Sequence, residues 1–170
     1  WLGGEWRVRD IVDYQLIAME SCLYQAAVRR EDMLRYFYKV GQKAVSRTTP
    51  YSFVIPGEQR DPGATKVMLD LLSFGMVEID KAAQPFTAGS KQYPAGSFVI
   101  RMQQPYSAFA KTLLERQNYP DLRLYPGGPP KRPYDVTAQT LPLLMGVSVE
   151  TIEQRFEASL TRTTDFSLPR

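Results

Sequence analysis

Few groupings in this chain hold residue types that could do chemistry. The loop Gly57-Glu-Gln-Arg-Asp-Pro-Gly63 follows an apolar run of strand length and precedes a helix-length segment, which is where α/β proteins hold ligands. Glu58, Arg60 and Asp61 are its candidate ligand contacts. As a phosphate cradle it is poor, because two carboxylates repel an anion, Pro62 removes an amide donor and the glycine spacing fits no nucleotide fingerprint. Ser107 and Lys111 share a helix face, but serine-lysine acyl transfer uses a spacing of three, and these stand four apart. Glu31 and Asp32 are adjacent in a helical pattern, so their carboxylates diverge and cannot share acid-base work. Tyr119, Tyr125 and Tyr134 with Lys131 and Arg132 form either a ligand rim or part of a tacked-down crossover loop. Cys22 is the single cysteine and sits in a helical pattern as a small apolar residue. The chain has no histidine, which removes imidazole bases, Ser-His and Cys-His pairs and His-metal sites. No metal and no cofactor is expected.

The elements that must position these residues centre on Tyr51 to Met102. Tyr51-Ser-Phe-Val-Ile55, Val77-Glu-Ile79 and Ser97-Phe-Val-Ile-Arg101 are strand-length apolar runs, and Pro62 to Phe74 is a helix-length segment between the first two. This pattern predicts a βαβ unit with parallel strands at 52–55, 77–80 and 97–101. Asp61 caps the helix, Pro62 suits its first position, and Gly75 supplies a left-handed stop. Val67, Leu71 and Phe74, with Met68 and Leu72 beside them, are the face expected on the sheet. The run 82–96 reads as a hairpin-like excursion. A second helix is expected from Tyr106 to about Gln117, with Phe109, Leu113 and Ala110 inward. The stretch 118–133 is an extended Pro- and Gly-rich loop, and 135–145 looks helical despite Pro142. Leu72 to Ile79 and Leu143 to Val149 echo each other as helix, glycine and strand, each followed by an exposed-looking phenylalanine, Phe86 and Phe156. Such an echo favours a mainly parallel sheet covered on both faces.

From Asp10 to about Ser46 there is no proline. Val12, Leu16, Met19, Leu23, Ala26, Met33, Phe37, Val40 and Ala44 follow a four-three spacing that only Arg30 interrupts. Asp10 can cap its start. A single helix of about 36 residues would be about 54 Å long, so a break near Arg29-Arg30-Glu31-Asp32 into an antiparallel helical hairpin is the alternative. Ile17, Tyr24, Ala27, Leu34, Tyr38 and Val45 widen the stripe, which then needs a covering surface, with Leu16, Leu23, Met33 and Phe37 as its interface residues.

At 170 residues, 44% hydrophobic and 23% charged, the chain has the composition of a folded globular domain. A net charge of +3 without a long basic run argues against nucleic acid as a partner. No apolar run reaches the roughly 20 residues of a membrane span, and no signal peptide is evident. A first residue of Trp1 rather than Met suggests a processed product or part of a longer chain.

Four phrases together resemble a known group: Trp1-Leu-Gly-Gly-Glu-Trp6-Arg-Val-Arg-Asp-Ile-Val-Asp-Tyr-Gln15; Arg30-Glu31; Pro50-Tyr-Ser-Phe-Val-Ile-Pro-Gly-Glu-Gln-Arg-Asp-Pro-Gly63; and Tyr119-Pro-Asp-Leu-Arg-Leu-Tyr-Pro-Gly-Gly-Pro-Pro-Lys-Arg-Pro-Tyr-Asp-Val-Thr-Ala138. They look like the region that follows the peptidase domain in large bacterial secreted proteins of the zinc carboxypeptidase (carboxypeptidase A-like) family. The resemblance covers nearly the whole chain and implies a secreted or periplasmic protein. That family holds zinc through two histidines and a glutamate, and no histidine position exists here, so no catalytic or metal role is carried over, including onto Glu5.

The resulting expectation is a long N-terminal amphipathic helix or helical hairpin (1–47), a small mainly parallel-sheet α/β domain (48–153) and a loose or docked tail (154–170). Functionally it is a non-catalytic accessory region whose partners are other domains of the parent or further copies of itself, giving an oligomer. The alternatives are a self-assembling structural fragment and a small-ligand-binding α/β module.

Overall fold

The computed structural model describes residues 3–116, 118, 120–132 and 140–168. The chain divides into two compact units, Trp1–Gln42 and Lys43–Arg170.

The first unit is helical. Helix α1 spans Val8–Val28 and α2 spans Arg30–Val45, the last residues of α2 belonging to the second unit. Asp10 caps from inside the first turn, its carboxylate accepting the Arg7 backbone N–H at 2.7 Å. Between the helices only Arg29 leaves helical geometry, at φ −107° and ψ 20°. Its N–H still donates to the Gln25 carbonyl at 2.9 Å, and its own carbonyl accepts from Met33 at 3.0 Å. One residue cannot reverse a chain that needs two to five to do so. The two helices are therefore successive lengths of one rod interrupted at Arg29, and the hairpin alternative is not adopted.

The second unit contains β1 (Ser52–Ile55), α3 (Pro62–Phe74), β2 (Asp80–Ala82), β3 (Phe86–Ala88), β4 (Lys91–Tyr93), β5 (Phe98–Arg101), α4 (Ser107–Leu114), α5 (Leu141–Met145), β6 (Glu150–Ile152) and β7 (Leu160–Arg162). Five strands form one sheet in the order β6-β1-β5-β2-β7, and every neighbouring pair is antiparallel. This corrects the expected parallel sheet. β1 and β2 do run in the same direction on either side of α3, but β5 lies between them and pairs antiparallel with both. β5 and β6 enclose β1 in the same way across α4. Two interlocked split βαβ units of this kind make the ferredoxin-like arrangement, here with β7 added beyond β2.

An antiparallel sheet carries such apolar strands here because of what covers each of its faces. Along β1 and β5, Phe53, Ile55, Phe98 and Ile100 join Met68, Leu69 and Leu72 of α3 and Ala110 and Leu114 of α4 in one buried cluster. Val54 and Val99, on the opposite face, join Ala82, Ile152 and the β3–β4 hairpin residues Phe86, Ala88 and Tyr93. Continuous apolar strands are the mark of a sheet covered on both sides, usually a parallel one. Here a hairpin supplies the second cover. The Phe86 ring stacks on Tyr93 and on Phe156, both at 5.2 Å, so Phe86 and Phe156 are packing partners and not exposed.

The helix faces also differ from expectation. Thr65, Met68, Leu69 and Leu72 are the buried positions of α3, whereas Val67, Leu71 and Phe74 point outward. On α4, Ala110 and Leu114 are buried and Leu113 packs at the edge, while Phe109 is half-exposed. Asp61 caps α3 as expected, accepting the Ala64 N–H at 2.9 Å, and Pro62 opens it. The left-handed residue after α3 is Met76, at φ 63°; Gly75 has φ −76°. The expected helix at 135–145 is α5 alone among the described residues, since 135–139 lie outside them, as do Gln117, Tyr119 and Tyr134. Residues 154–168 are docked: β7 completes the sheet, and the buried Phe166 ring meets Phe98 edge-on at 6.0 Å.

Candidate functional site

The loop Gly57–Gly63 is held by bonds of its own. Gly57 N–H donates to Ser97 Oγ at 3.0 Å, and Asp61 is committed to the α3 cap. Gln59 locks onto the backbone of Ser148, accepting its N–H at 2.9 Å and donating to its carbonyl at 3.0 Å. Glu58 and Arg60 project into solvent on either side of Gln59. Sequence reasoning missed Gln59, because a partner 89 residues away leaves no local signal.

Ser107 and Lys111 are not brought together as a pair. Ser107 Oγ donates to the Ala44 carbonyl at 3.3 Å, and the Lys111 ammonium bonds Glu115. Asp32 pairs with Arg35 at 3.3 Å and Glu31 lies 4.0 Å from Arg30, all exposed. Cys22 is exposed. In the 118–133 loop, Arg123 clamps Asp121 and the Gly128 carbonyl at 3.0 and 2.9 Å, while Tyr125, Lys131 and Arg132 are exposed. Of the expected tyrosine rim, Tyr119 and Tyr134 lie outside the described residues. Among the described residues no group of three His, Cys, Asp or Glu could hold a metal ion, and no helix is long and apolar enough to cross a membrane.

The densest polar cluster surrounds Asp80, which is only 3% exposed. Arg101 Nε and Arg162 Nε donate to its two oxygens at 2.8 and 3.1 Å, tying β5 and β7 to β2. Arg162 also reaches Glu78 at 2.7 Å. Gln104 accepts the Glu78 N–H at 2.7 Å and donates to the Glu78 carbonyl at 3.0 Å. These groups line a cleft of about 120 Å³. Two carboxylates face two guanidiniums, so the cluster is self-neutralising and gives no net charge for a ligand. A second group joins β4 to β6: the Lys91 ammonium and the Tyr93 hydroxyl, at 2.7 Å, both bond Glu150. Burial raises the Glu150 pKa, but the hydrogen bonds from Lys91 and Tyr93 and the Lys91 charge outweigh it and hold the carboxyl below its usual range. Burial, then the bond to Glu150, pushes the Tyr93 phenol up.

The surface that stands apart is the helical rod. No residue of α1 is buried, and in α2 only Ala44 is. Leu16, Leu23, Met33 and Phe37 are all exposed, Phe37 to 81%. α1 carries two apolar rows: Val12, Leu16, Met19, Leu23 and Ala26 at four-three spacing on one side, and Tyr14, Ile17, Tyr24 and Val28, interrupted by Ser21, on another, roughly 155° round the axis. Asp13 and Glu20 separate the rows. In α2 the apolar row Met33, Phe37, Val40 and Ala44 faces away from Arg35, Lys39 and Lys43. A helix apolar on two sides is ordinarily covered on two sides.

Comparison of the chain with protein-family models, with curated proteins and with solved structures finds no match.

Proposed function

We propose that this chain is a non-catalytic accessory region of a secreted zinc-carboxypeptidase-like protein, as the sequence resemblance implies, and that its helical rod is the element by which it docks. The observation that carries the reading is the contrast between the two units. The 43–170 unit buries its own core on both faces of its sheet, whereas the rod leaves both rows of α1 and Met33, Phe37 and Val40 of α2 in solvent. Apolar area left in water costs about 25 cal/mol per Å², so rows of this length are kept for a partner surface. Supporting the non-catalytic part, Asp61 is committed to a cap, Asp32 and Lys111 to ion pairs and Ser107 to a backbone carbonyl.

The test is a Leu16→Asp/Leu23→Asp variant of the full chain, followed by thermal unfolding, together with equilibrium dialysis against zinc and a carboxypeptidase assay. The variant is expected to leave the melting of the 43–170 unit unchanged, with no stoichiometric zinc and no hydrolysis. A fall in that melting temperature would place the rod in the chain's own core. Zinc retained through dialysis with chelator-sensitive peptidase activity would make the region an enzyme.

A further inference from the structure

We propose that the occupant of the rod's main apolar row is the rod of a second copy lying antiparallel to it; this rests on the reading of the rod as a docking element and names its partner. Charge is the first argument. Val8–Val28 carries Arg9 against Asp10, Asp13 and Glu20, a net charge of −2, and Arg30–Val45 carries Arg30, Arg35, Lys39 and Lys43 against Glu31 and Asp32, a net charge of +2. An antiparallel pair sets acidic half against basic half at both ends, whereas a parallel pair sets like against like.

Arg30 supplies the second argument. It occupies the one charged position in the row Val12, Leu16, Met19, Leu23, Ala26, Arg30, Met33, Phe37, Val40, Ala44. In-register parallel pairing would oppose two Arg30 guanidiniums in a seam that is losing water, which is costly for unpaired like charges. Antiparallel pairing centred on Val28 instead sets Arg30 beside Ala26 of the other copy. The alanine methyl leaves room for the arginine stem to lie along the seam with its head in solvent. The same alignment sets Leu16 beside Val40, Met19 beside Phe37 and Leu23 beside Met33, large against large in these three layers. The seam runs from Leu16 to Val40 on each rod, about 37 Å, since Ala44 is buried by its own chain, and falls toward the lower end of the range for specific interfaces. The row Tyr14, Ile17, Tyr24 and Val28 remains outside this seam for the parent's other domains.

Sedimentation velocity on the full chain reads the proposal, using Lys39→Glu/Lys43→Glu and that pair combined with Asp13→Lys/Glu20→Lys. The wild type is expected to be a dimer. The first variant should dissociate at least ten-fold more readily, most clearly at low salt, and the combined variant should recover. Tighter association of the first variant, or none of these shifts, overturns the antiparallel pairing. A wild type that stays monomeric at 100 μM also overturns it, and hydrogen exchange then separates two cases. Rod amides that exchange far faster than the sheet leave the docking element intact with a different occupant, so only the second-copy proposal fails. Rod amides as protected as the sheet would show the rod covered by its own chain, and the accessory reading fails as well.

Discussion

The ring of Phe109 occupies the space that a side chain at residue 75 would need: a Cβ built on Gly75 would stand 2.2 Å from Phe109 Cε1 and 2.9 Å from Cζ. Glycine is required there for close approach of α4 to the end of α3, and not for backbone conformation, since its φ is −76°. Gly75→Ala is therefore expected to destabilise the chain by about 0.5–1.5 kcal/mol, the cost of pushing the half-exposed Phe109 ring off its rotamer. Phe109→Ala in the same chain should remove most of that penalty, because the two residues are in contact and their effects are coupled. Denaturant unfolding of the single and double variants checks this, and additive losses would mean that the ring is not what excludes the methyl.

Met76 bears the strain that Gly75 does not. Its φ of 63° lets its N–H reach the Ser73 carbonyl at 2.9 Å and Val77 N–H reach Leu72 at 3.0 Å, closing the helix end. A left-handed residue with a Cβ costs roughly 1 kcal/mol more than glycine, and the Met76 side chain is exposed, so little packing is lost with it. Met76→Gly is expected to raise stability by about 0.5–1 kcal/mol, measured as a higher denaturant midpoint at constant slope. A lower midpoint would mean that the side chain packs more than its exposure indicates.

These two residues also mark where the sequence was legible and where it was not. Asp61, Pro62 and Gly75 delimit α3 correctly because caps are local chemistry, acting within a few residues. The position of the left-handed residue was misplaced by one, since only the Phe109 contact explains the glycine. Strand directions were not legible: Ser52-Phe-Val-Ile55 and Ser97-Phe-Val-Ile100 are the same four residues twice, and nothing local shows that they pair with each other in opposite directions. The exposed row of the rod is visible as a four-three spacing, whereas of the second row of α1 only Ile17 and Tyr24 stand out in the sequence, as a widening of the first. Asp80, Arg101 and Arg162 gave no signal beyond being charges at strand positions, since the order of the sheet alone brings them together.

Asp80 is expected to be the most sensitive polar position in the sheet. It is nearly fully buried and neutralises two guanidiniums that are themselves about half-exposed. Asp80→Asn keeps the shape and removes the charge, leaving Arg101 and Arg162 facing each other across β2. Breaking a fully buried pair costs about 3–5 kcal/mol; solvent around the two arginines reduces this to about 1–3 kcal/mol. Loss is expected to fall on β7 first, because Arg162 ties that edge strand to both Glu78 and Asp80. Hydrogen exchange resolved by residue would read it as early opening of Thr163 N–H, which donates to the Ile79 carbonyl. Uniform destabilisation with no early opening at 160–163 would contradict that role.

The pH dependence of stability should carry the signature of Glu150 and Tyr93, which hold the β3–β4 hairpin to the edge strand β6 through Lys91 and each other. Folding lowers the Glu150 pKa, so the folded chain binds that proton less readily than the unfolded chain. Its stabilisation is present above the ordinary glutamate value of about 4.3 and is lost as pH falls through the lowered folded value. Tyr93 works in the opposite sense: its pKa is raised, so its stabilisation is present below the ordinary tyrosine value of about 10 and is lost as pH rises beyond it. Glu150→Gln should flatten the acid limb of a stability curve between about pH 5 and 2, and Tyr93→Phe should flatten the alkaline limb above about pH 10. Glu150→Gln should also shrink the alkaline effect of Tyr93, because the carboxylate is one cause of that shift. Urea midpoints across pH 2 to 11 on the two single variants and the double variant test all three statements, and an acid limb unchanged in Glu150→Gln would show that the hairpin is held by the Phe86, Tyr93 and Phe156 stack without help from the charge.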